Sequence, residues 1–274
     1  MMRRSINAWF FEASTPVVEM ARRCAAAGFE ALELVLENEG VLTPQTDQAT
    51  CRSYGQQVRD AGLHVASLAT GLFWQTHYGS DDPETRQKAY DLTLSILDRA
   101  AWLGAEAILV IPAVVGAWNA ATPSVRYADA LNRSFETLHR LAYEAEQRGV
   151  ILAVENVWNR FLLSPVELAD LIDRVNSPWV GAYLDVGNVL AFGFPQDWID
   201  TLGRRIVRVH LKDYDLSNPG IEGFCPLGEG SVDWPAVMAA LSRAGYDGPL
   251  TYEGRGDLAD IKVRMDRILS LLAS

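Results

Sequence analysis

Short runs that are almost wholly apolar alternate along this chain with longer stretches in which apolar residues return every third or fourth position. The runs at 6–11, 31–36, 64–70, 107–112, 151–156, 181–186, 206–212 and 249–253 have the length and aliphatic content of strands buried on both faces. The stretches near 16–27, 47–61, 83–103, 123–148, 164–175, 195–203, 233–244 and 257–272 have the period of amphipathic helices. Thr15-Pro16, Asp82-Pro83, Thr122-Pro123 and Ser164-Pro165 pair a capping side chain with a proline suited to the first helical position, and Glu167 completes a capping box with Ser164. Gly28, Gly62, Gly104, Gly149 and Gly245 stand where the helices should stop. Strict alternation of strand and helix predicts an α/β fold with a parallel sheet. The arrangement that uses every unit is a single (β/α)8 TIM barrel domain over residues 1–274. The rival, an open doubly wound sheet, needs a glycine-rich phosphate turn after the first strand, where this chain has SINAWFFEAST.

The last four runs each end in a group able to bind a metal ion: Glu155 in ILAVEN (151–156), Asp185 in GAYLDVGN (181–188), His210 in IVRVHLKD (206–213) and Glu253 in PLTYEG (249–254). In a barrel the C-terminal ends of the strands meet at one face, so side chains on consecutive strands five to eight become neighbours. A carboxylate there is costly to bury unless it is paired or bound to a cation. Any one of these residues alone could be a salt-bridged rim group; four on adjacent strands point to a shared cation. His210 alone could be a satisfied core histidine. Beside three carboxylates it reads as a ligand through one ring nitrogen, with the other oriented by an acceptor behind it. Two Glu, one Asp and one His make an oxygen-rich set, better suited to a Mn²⁺-like or Mg²⁺-like ion than to a thiophilic one.

Charge and cysteine content narrow the partners. With 24 basic residues against 35 acidic ones, the formal net charge is −11, which argues against a nucleic-acid or anionic-membrane partner while leaving room for a local pocket that holds one phosphate. The longest apolar stretch, 105–121, is broken by Glu106, Pro112 and Asn119, so no membrane span is expected. Arg3 and Arg4 are not followed by a signal core. Cys24, Cys51 and Cys225 form neither a disulfide framework nor a zinc pattern, which fits a reducing cytoplasm.

The motifs carry a resemblance. VEN at Glu155, LDVGN around Asp185, VHLKD around His210, PLGEGSVDW at 226–234 and GYDGPLTYEG at 245–254 resemble the xylose-isomerase-like superfamily of sugar isomerases and epimerases. The likeness spans essentially the whole chain and is nearest to the ketose and ketose-phosphate 3-epimerases. It implies that Glu155, Asp185, His210 and Glu253 hold one divalent ion, Mn²⁺ foremost with Mg²⁺ or Co²⁺ as alternatives. It further implies that Glu155 and Glu253 act as an acid/base pair on a small-molecule sugar or sugar phosphate, and it is compatible with a homo-oligomer. The chemistry is coherent: a ketose chelated to the ion loses a proton beside its carbonyl to one carboxylate, and the enediolate regains one on the other face from the second. Return to the neighbouring carbon would give an aldose–ketose isomerisation. The alternative is a lyase that dehydrates an inosose or a 3-keto sugar after the same proton removal. This chain has Asn188 where free-ketose 3-epimerases carry a His three residues after the metal Asp, and Leu162 where they carry an acidic residue after Asn-Arg-Phe (159–161). The LDVGN form is closer to the pentulose-phosphate epimerases.

Other substrate contacts are expected near these positions. Asn188 follows the metal Asp, and Lys212 shares a strand face with His210 by the period of two. Lys212 would hold a substrate oxygen or phosphate, or else neutralise Asp213 on the rim. Arg160 is a second anion candidate, set against simple solvation. Trp9, Trp74, Trp118 and Trp158 lie at or just after strands one, three, four and five, and would wall the substrate pocket or merely pack under loops. Gly228-Glu229-Gly230 reads as a mobile lid or as a tight turn before a helix. His64 should face the opposite end of the barrel, His139 is mid-helix, and His77 lies in the loop after strand three.

Overall fold

Runs such as Ala-Ile-Leu-Val have no polar face to offer water, and they become the wall of a closed barrel in the computed structural model, which describes residues 2–273. The strands are β1 (Arg3–Asn7), β2 (Ala31–Val35), β3 (His64–Ala69), β4 (Ala107–Val110), β5 (Ile151–Glu155), β6 (Val180–Asp185), β7 (Ile206–Leu211) and β8 (Pro249–Tyr252). Every neighbouring pair is parallel, and β8 closes on β1. This is the single (β/α)8 TIM barrel that the alternation predicts. The helices are α1 (Val17–Ala27), α2 (Gln48–Asp60), α3 (Pro83–Leu103), α4 (Tyr127–Arg148), α5 (Pro165–Val175), α6 (Pro195–Leu202), α7 (Trp234–Arg243) and α8 (Leu258–Ser270). Among the described residues, no helix is long and apolar enough to cross a membrane.

Local chemistry sets most boundaries. Asp82 accepts from the amides of Glu84 and Thr85 to start α3, and Ser164 accepts from Glu167 N at 3.2 Å to start α5. Three expectations shift. The first strand begins at Arg3 rather than residue 6, because Arg4 sits at the barrel rim, where it pairs with Glu30 at 2.9 Å and with Asp266 of α8. It also ends early: Asn7 Oδ1 accepts from Trp9 N at 2.7 Å and turns Ala8–Phe10 into a 3-10 turn. Thr122-Pro123 does not start a helix. The segment stays a loop, tied down by bonds from the Ser124 hydroxyl to the carbonyls of Val114 and Val115, and α4 starts after Arg126. Likewise Thr15 does not cap α1, whose N-cap is Pro16 without a side-chain bond.

The bore of the barrel is not simply aliphatic. Ser5, Glu33, Ser67, Tyr183, Arg208, His210 and Thr251 are all buried. Arg208 plugs the end away from the site, donating to the Ala66 carbonyl at 2.9 Å and pairing with Glu106 at 2.7 Å. Outside the wall, Gly55 lets α2 close onto the end of α3. A methyl group there would run into the Leu103 carbonyl, whose carbon would lie 2.9 Å away.

Gly55→Ala is therefore expected to destabilise the barrel by about 1–3 kcal/mol through overpacking, outweighing the roughly 1 kcal/mol that alanine gains in a helix. The urea midpoint should fall with an unchanged slope; a midpoint that stays put or rises would show that the two helices separate without cost.

Candidate active site

Strand register brings the site together. On the barrel wall Asp185 is the partner of His210, and Thr251, two residues before Glu253, is also a partner of His210. Glu155 ends β5, and Glu253 follows β8 directly. One donor atom from each of Glu155, Asp185, His210 and Glu253 lies within 4.8 Å of the others. His210 Nδ1 is 2.9 Å from Glu155 Oε1, 2.8 Å from Glu253 Oε2 and 4.0 Å from Asp185 Oδ2. Asn156 fixes the approach: it donates to the Asp185 carbonyl at 3.0 Å and accepts from the Asp185 amide at 2.9 Å. Immediately after Asp185 the chain makes one helical turn, Val186–Val189, capped when Asp185 Oδ1 accepts from Asn188 N at 2.9 Å.

Crowding charge in this low-dielectric end of the barrel separates the two glutamates. Burial pushes Glu155 up to about 7, with Glu253 and Asp185 adding to it against the opposing pull of His210. Burial would raise Glu253 too, but Lys212 and His210 outweigh it and hold that carboxyl at about 2. His210 is itself held well above the ordinary imidazole value: burial opposes its charge, and the carboxylates of Glu33 and Glu253 prevail. Asp185 Oδ2 is the atom left over. It is buried and accepts no directed hydrogen bond, although Lys212 Nζ lies 3.0 Å away. Three carboxylates and one imidazole, with an orphaned oxygen among them, fit a divalent cation of the hard to intermediate kind.

The sequence-predicted substrate residues gather around one cavity of about 240 Å³, lined by Trp9, Trp74, Trp118, Trp158, Asn188 and Lys212 together with Glu155 and Glu253. Trp158 stacks on Phe224 at 5.1 Å and donates to the Asn188 carbonyl at 3.0 Å. Trp118 meets Trp158 edge-on at 6.5 Å, and Trp74 and Trp118 keep 40% and 43% of their surface exposed, so both are free to meet a ligand. Lys212 Nζ is also 3.0 Å from Glu253 Oε1 and does not neutralise Asp213. Asp213 instead organises the following loop, accepting from the amides of Tyr214, Gly228 and Val232 and from Trp234 Nε1. That clamp gives Gly228-Glu229-Gly230 the tight-turn geometry rather than that of a free lid. Arg160 lies apart from the cavity: its guanidinium donates to the carbonyls of Ala117 and Trp118 at 3.2 and 3.0 Å and borders an adjoining apolar hollow. His77 is buried without lining the cavity, His64 is exposed at the opposite end of its strand, and His139 stacks on Phe135 within α4.

One residue at the centre escaped the sequence reading. Glu33, in the middle of β2, is fully buried, with Oε2 2.7 Å from His210 Nε2. Its signal was there: a lone acid inside the apolar run ALELV, facing inward from the strand beside Asn7.

Fold and site together define a (β/α)8-barrel protein whose acid–histidine cluster lies at the C-terminal end of the strands, the face where barrel enzymes work. The chain belongs to the xylose isomerase-like TIM barrel family, whose model matches residues 21–270. It is 24% identical over 268 residues to the L-ribulose-5-phosphate 3-epimerase UlaE of Salmonella paratyphi C, covering 95% of this chain and 91% of that one. It is 26% identical over 234 residues to the putative L-ribulose-5-phosphate 3-epimerase SgbU of Haemophilus influenzae, covering 83% and 80%. Among solved structures, D-psicose 3-epimerase from Clostridium cellulolyticum H10, with D-tagatose, superposes with a TM-score of 0.81 at 18% identity over 99% of both chains. Both of these curated relatives carry the names of sugar-phosphate epimerases, which supports an enzyme of the isomerase and epimerase class.

His210→Ala is expected to lose a stoichiometric divalent ion on dialysis, as read by elemental analysis. Proton and cation compete for Nδ1, and the surrounding carboxylates hold His210 protonated to unusually high pH. Affinity should thus fall as pH falls, by roughly tenfold per unit for one displaced proton. Calorimetric titrations that give a pH-independent affinity would contradict ligation through this nitrogen.

Proposed function

We propose that this protein is a divalent-metal-dependent epimerase of a ketose or ketose phosphate, acting at the carbon next to the carbonyl, with Glu155 and Glu253 as the proton-transfer pair. The observation that carries the reading is the placement of the two glutamates. They stand at the two ends of the arc β5 to β8, with Asp185 and His210 between them, and both line the same cavity. Two carboxylates that reach one substrate carbon from different sides are what inversion requires. A divalent ion held by Glu155, Asp185, His210 and Glu253, with Mn²⁺ the first choice, would polarise the carbonyl and stabilise the charge that develops on its oxygen.

The remaining work falls to the protein's own groups. One glutamate takes the proton from the substrate carbon, and the other returns a proton to the opposite face. Lys212, already beside Asp185 and Glu253, offers a cation to a substrate oxygen or phosphate. Asn188 offers its side chain at the cavity wall. Trp9, Trp74, Trp118 and Trp158 pack on the apolar face of the sugar and keep bulk water from the deprotonated intermediate. The two 3-epimerase relatives support the phosphorylated class of substrate, and Asn188 in place of a histidine points the same way.

Proton NMR of the metal-loaded protein in D₂O, with a panel of ketoses, ketose phosphates and 3-keto sugars, tests this directly. Deuterium entering the carbon next to the carbonyl together with a new epimer is the expected result. Release of water to an enone would move the protein to the lyases. Glu155→Gln and Glu253→Gln should each lower inversion by about 10²–10⁴-fold, and each should retain exchange with at most one of the two epimers. Inversion at the unaltered rate in either variant would remove that residue from the pair.

A further inference from the structure

A carboxylate that reaches none of the reacting atoms sits behind the metal-binding histidine. Glu33 is 0% exposed in the bore of the barrel, and each of its oxygens takes two partners. Oε1 accepts from Ser67 Oγ and Tyr183 OH, both at 2.7 Å; Oε2 faces Asn7 Nδ2 and, at 2.7 Å, His210 Nε2. These partners come from β1, β3, β6 and β7, so the carboxylate is braced from around the barrel. Burying such a group is strongly unfavourable unless its lone pairs are met, and here all four positions are filled. An apolar side chain would fill the same space without that burden. Among the described residues its only basic neighbour is His210; the other three partners are neutral hydroxyls and an amide.

We propose that Glu33 is the positioning residue of the metal centre: it holds His210 with the hydrogen on Nε2 and presents the Nδ1 lone pair to the cation. The inference rests on Glu155, Asp185, His210 and Glu253 being a divalent-ion site. An ionised carboxylate has only lone pairs to offer, so the imidazole nitrogen facing Glu33 stays the donor, and when a cation displaces the proton that Nδ1 shares with Glu155 and Glu253 the hydrogen left on the ring is the one on Nε2. The other nitrogen then points toward Glu155, Glu253 and Asp185. Tyr183 serves twice. Its hydroxyl braces Glu33, and its ring lies against the His210 ring at 4.2 Å between centroids, inclined by 41°, which resists rotation of the imidazole. Asn7, Ser67 and Tyr183 hold Glu33; Glu33 holds His210; and the negative charge behind the ring makes Nδ1 a stronger donor to a cation.

Glu33→Gln tests this with little disturbance of shape. The amide keeps an oxygen for Nε2 and turns its NH₂ to the hydroxyl oxygens of Ser67 and Tyr183, so shape is kept while the charge is lost and the two hydroxyls change from donors to acceptors at this contact. Competition against a chromophoric chelator should show Mn²⁺ or Co²⁺ bound about 10- to 100-fold more weakly, and the visible spectrum of the Co²⁺ form should change. The melting temperature of the metal-free variant should stay close to that of the metal-free parent. A variant that melts lower yet binds Co²⁺ with the parent's affinity and spectrum would make Glu33 a packing residue and overturn the proposal. Should Glu33→Gln fail to fold, Tyr183→Phe takes its place: loss of one brace should weaken binding by roughly threefold or more, and unchanged affinity and spectrum would again overturn the assignment. A parent protein that binds neither ion would remove the metal centre itself, a failure distinct from a tightly bound ion indifferent to Glu33.

Discussion

Three carboxylates gathered around one imidazole at the end of a closed barrel are the constraint on which the rest of this molecule depends. Like charges so close, in a site from which water is mostly excluded, repel strongly and keep their charge only if cations answer them. Lys212 and a protonated His210 do part of that work in the protein alone, yet Asp185 Oδ2 still accepts no hydrogen bond. The divalent ion of the proposed function would complete that balance and supply the carbonyl-polarising chemistry.

The barrel supplies the geometry at low local cost. Each residue of the cluster stands at or directly after the end of a strand whose backbone is bonded on both sides, so the four side chains need no loop ordering to meet. Asn156 ties β5 to β6 across the site, and the single turn after Asp185 is capped by that carboxylate's other oxygen. Beyond the rigid rim, Asp213 gathers the loop after β7 through four hydrogen bonds, and Trp158 packs between Phe224 and Tyr214 of the same loop. The acid–histidine cluster thus rides on the barrel, while the tryptophan-lined wall of the cavity rides on loops clamped to it. That division lets the cavity wall vary in sequence without disturbing the acid–histidine cluster.

Binding chemistry extends further into the bore than the rim suggests. Tyr183 and Asp185 face inward from β6, as Arg208 and His210 do from β7, so a polar column runs down the interior. Arg208 closes its lower end on Glu106, and Glu33 occupies the layer just under the acid–histidine cluster. Such a column is stable only when every group has its partner. Glu33 meets that condition with four.

What the sequence determined was everything that depends on local pattern: strand and helix spacing, the Asp82 and Ser164 caps, and an acid or histidine at the end of each of the last four strands. Period and burial cost act within a single element, and the barrel rule turns strand order into spatial order, so Glu155, Asp185, His210 and Glu253 were legible before any coordinates. The four tryptophans were legible as loop residues near that face. Tertiary structure alone decided what depends on direction across the bore. Arg160 turned to the carbonyls of Ala117 and Trp118, Asp213 turned to the loop amides instead of Lys212, and Thr122-Pro123 was held as a loop by Ser124. Glu33 shows the reason most clearly: its partners lie 26, 34, 150 and 177 residues away in the chain, and no pattern within one strand says that four distant side chains will converge on one carboxylate.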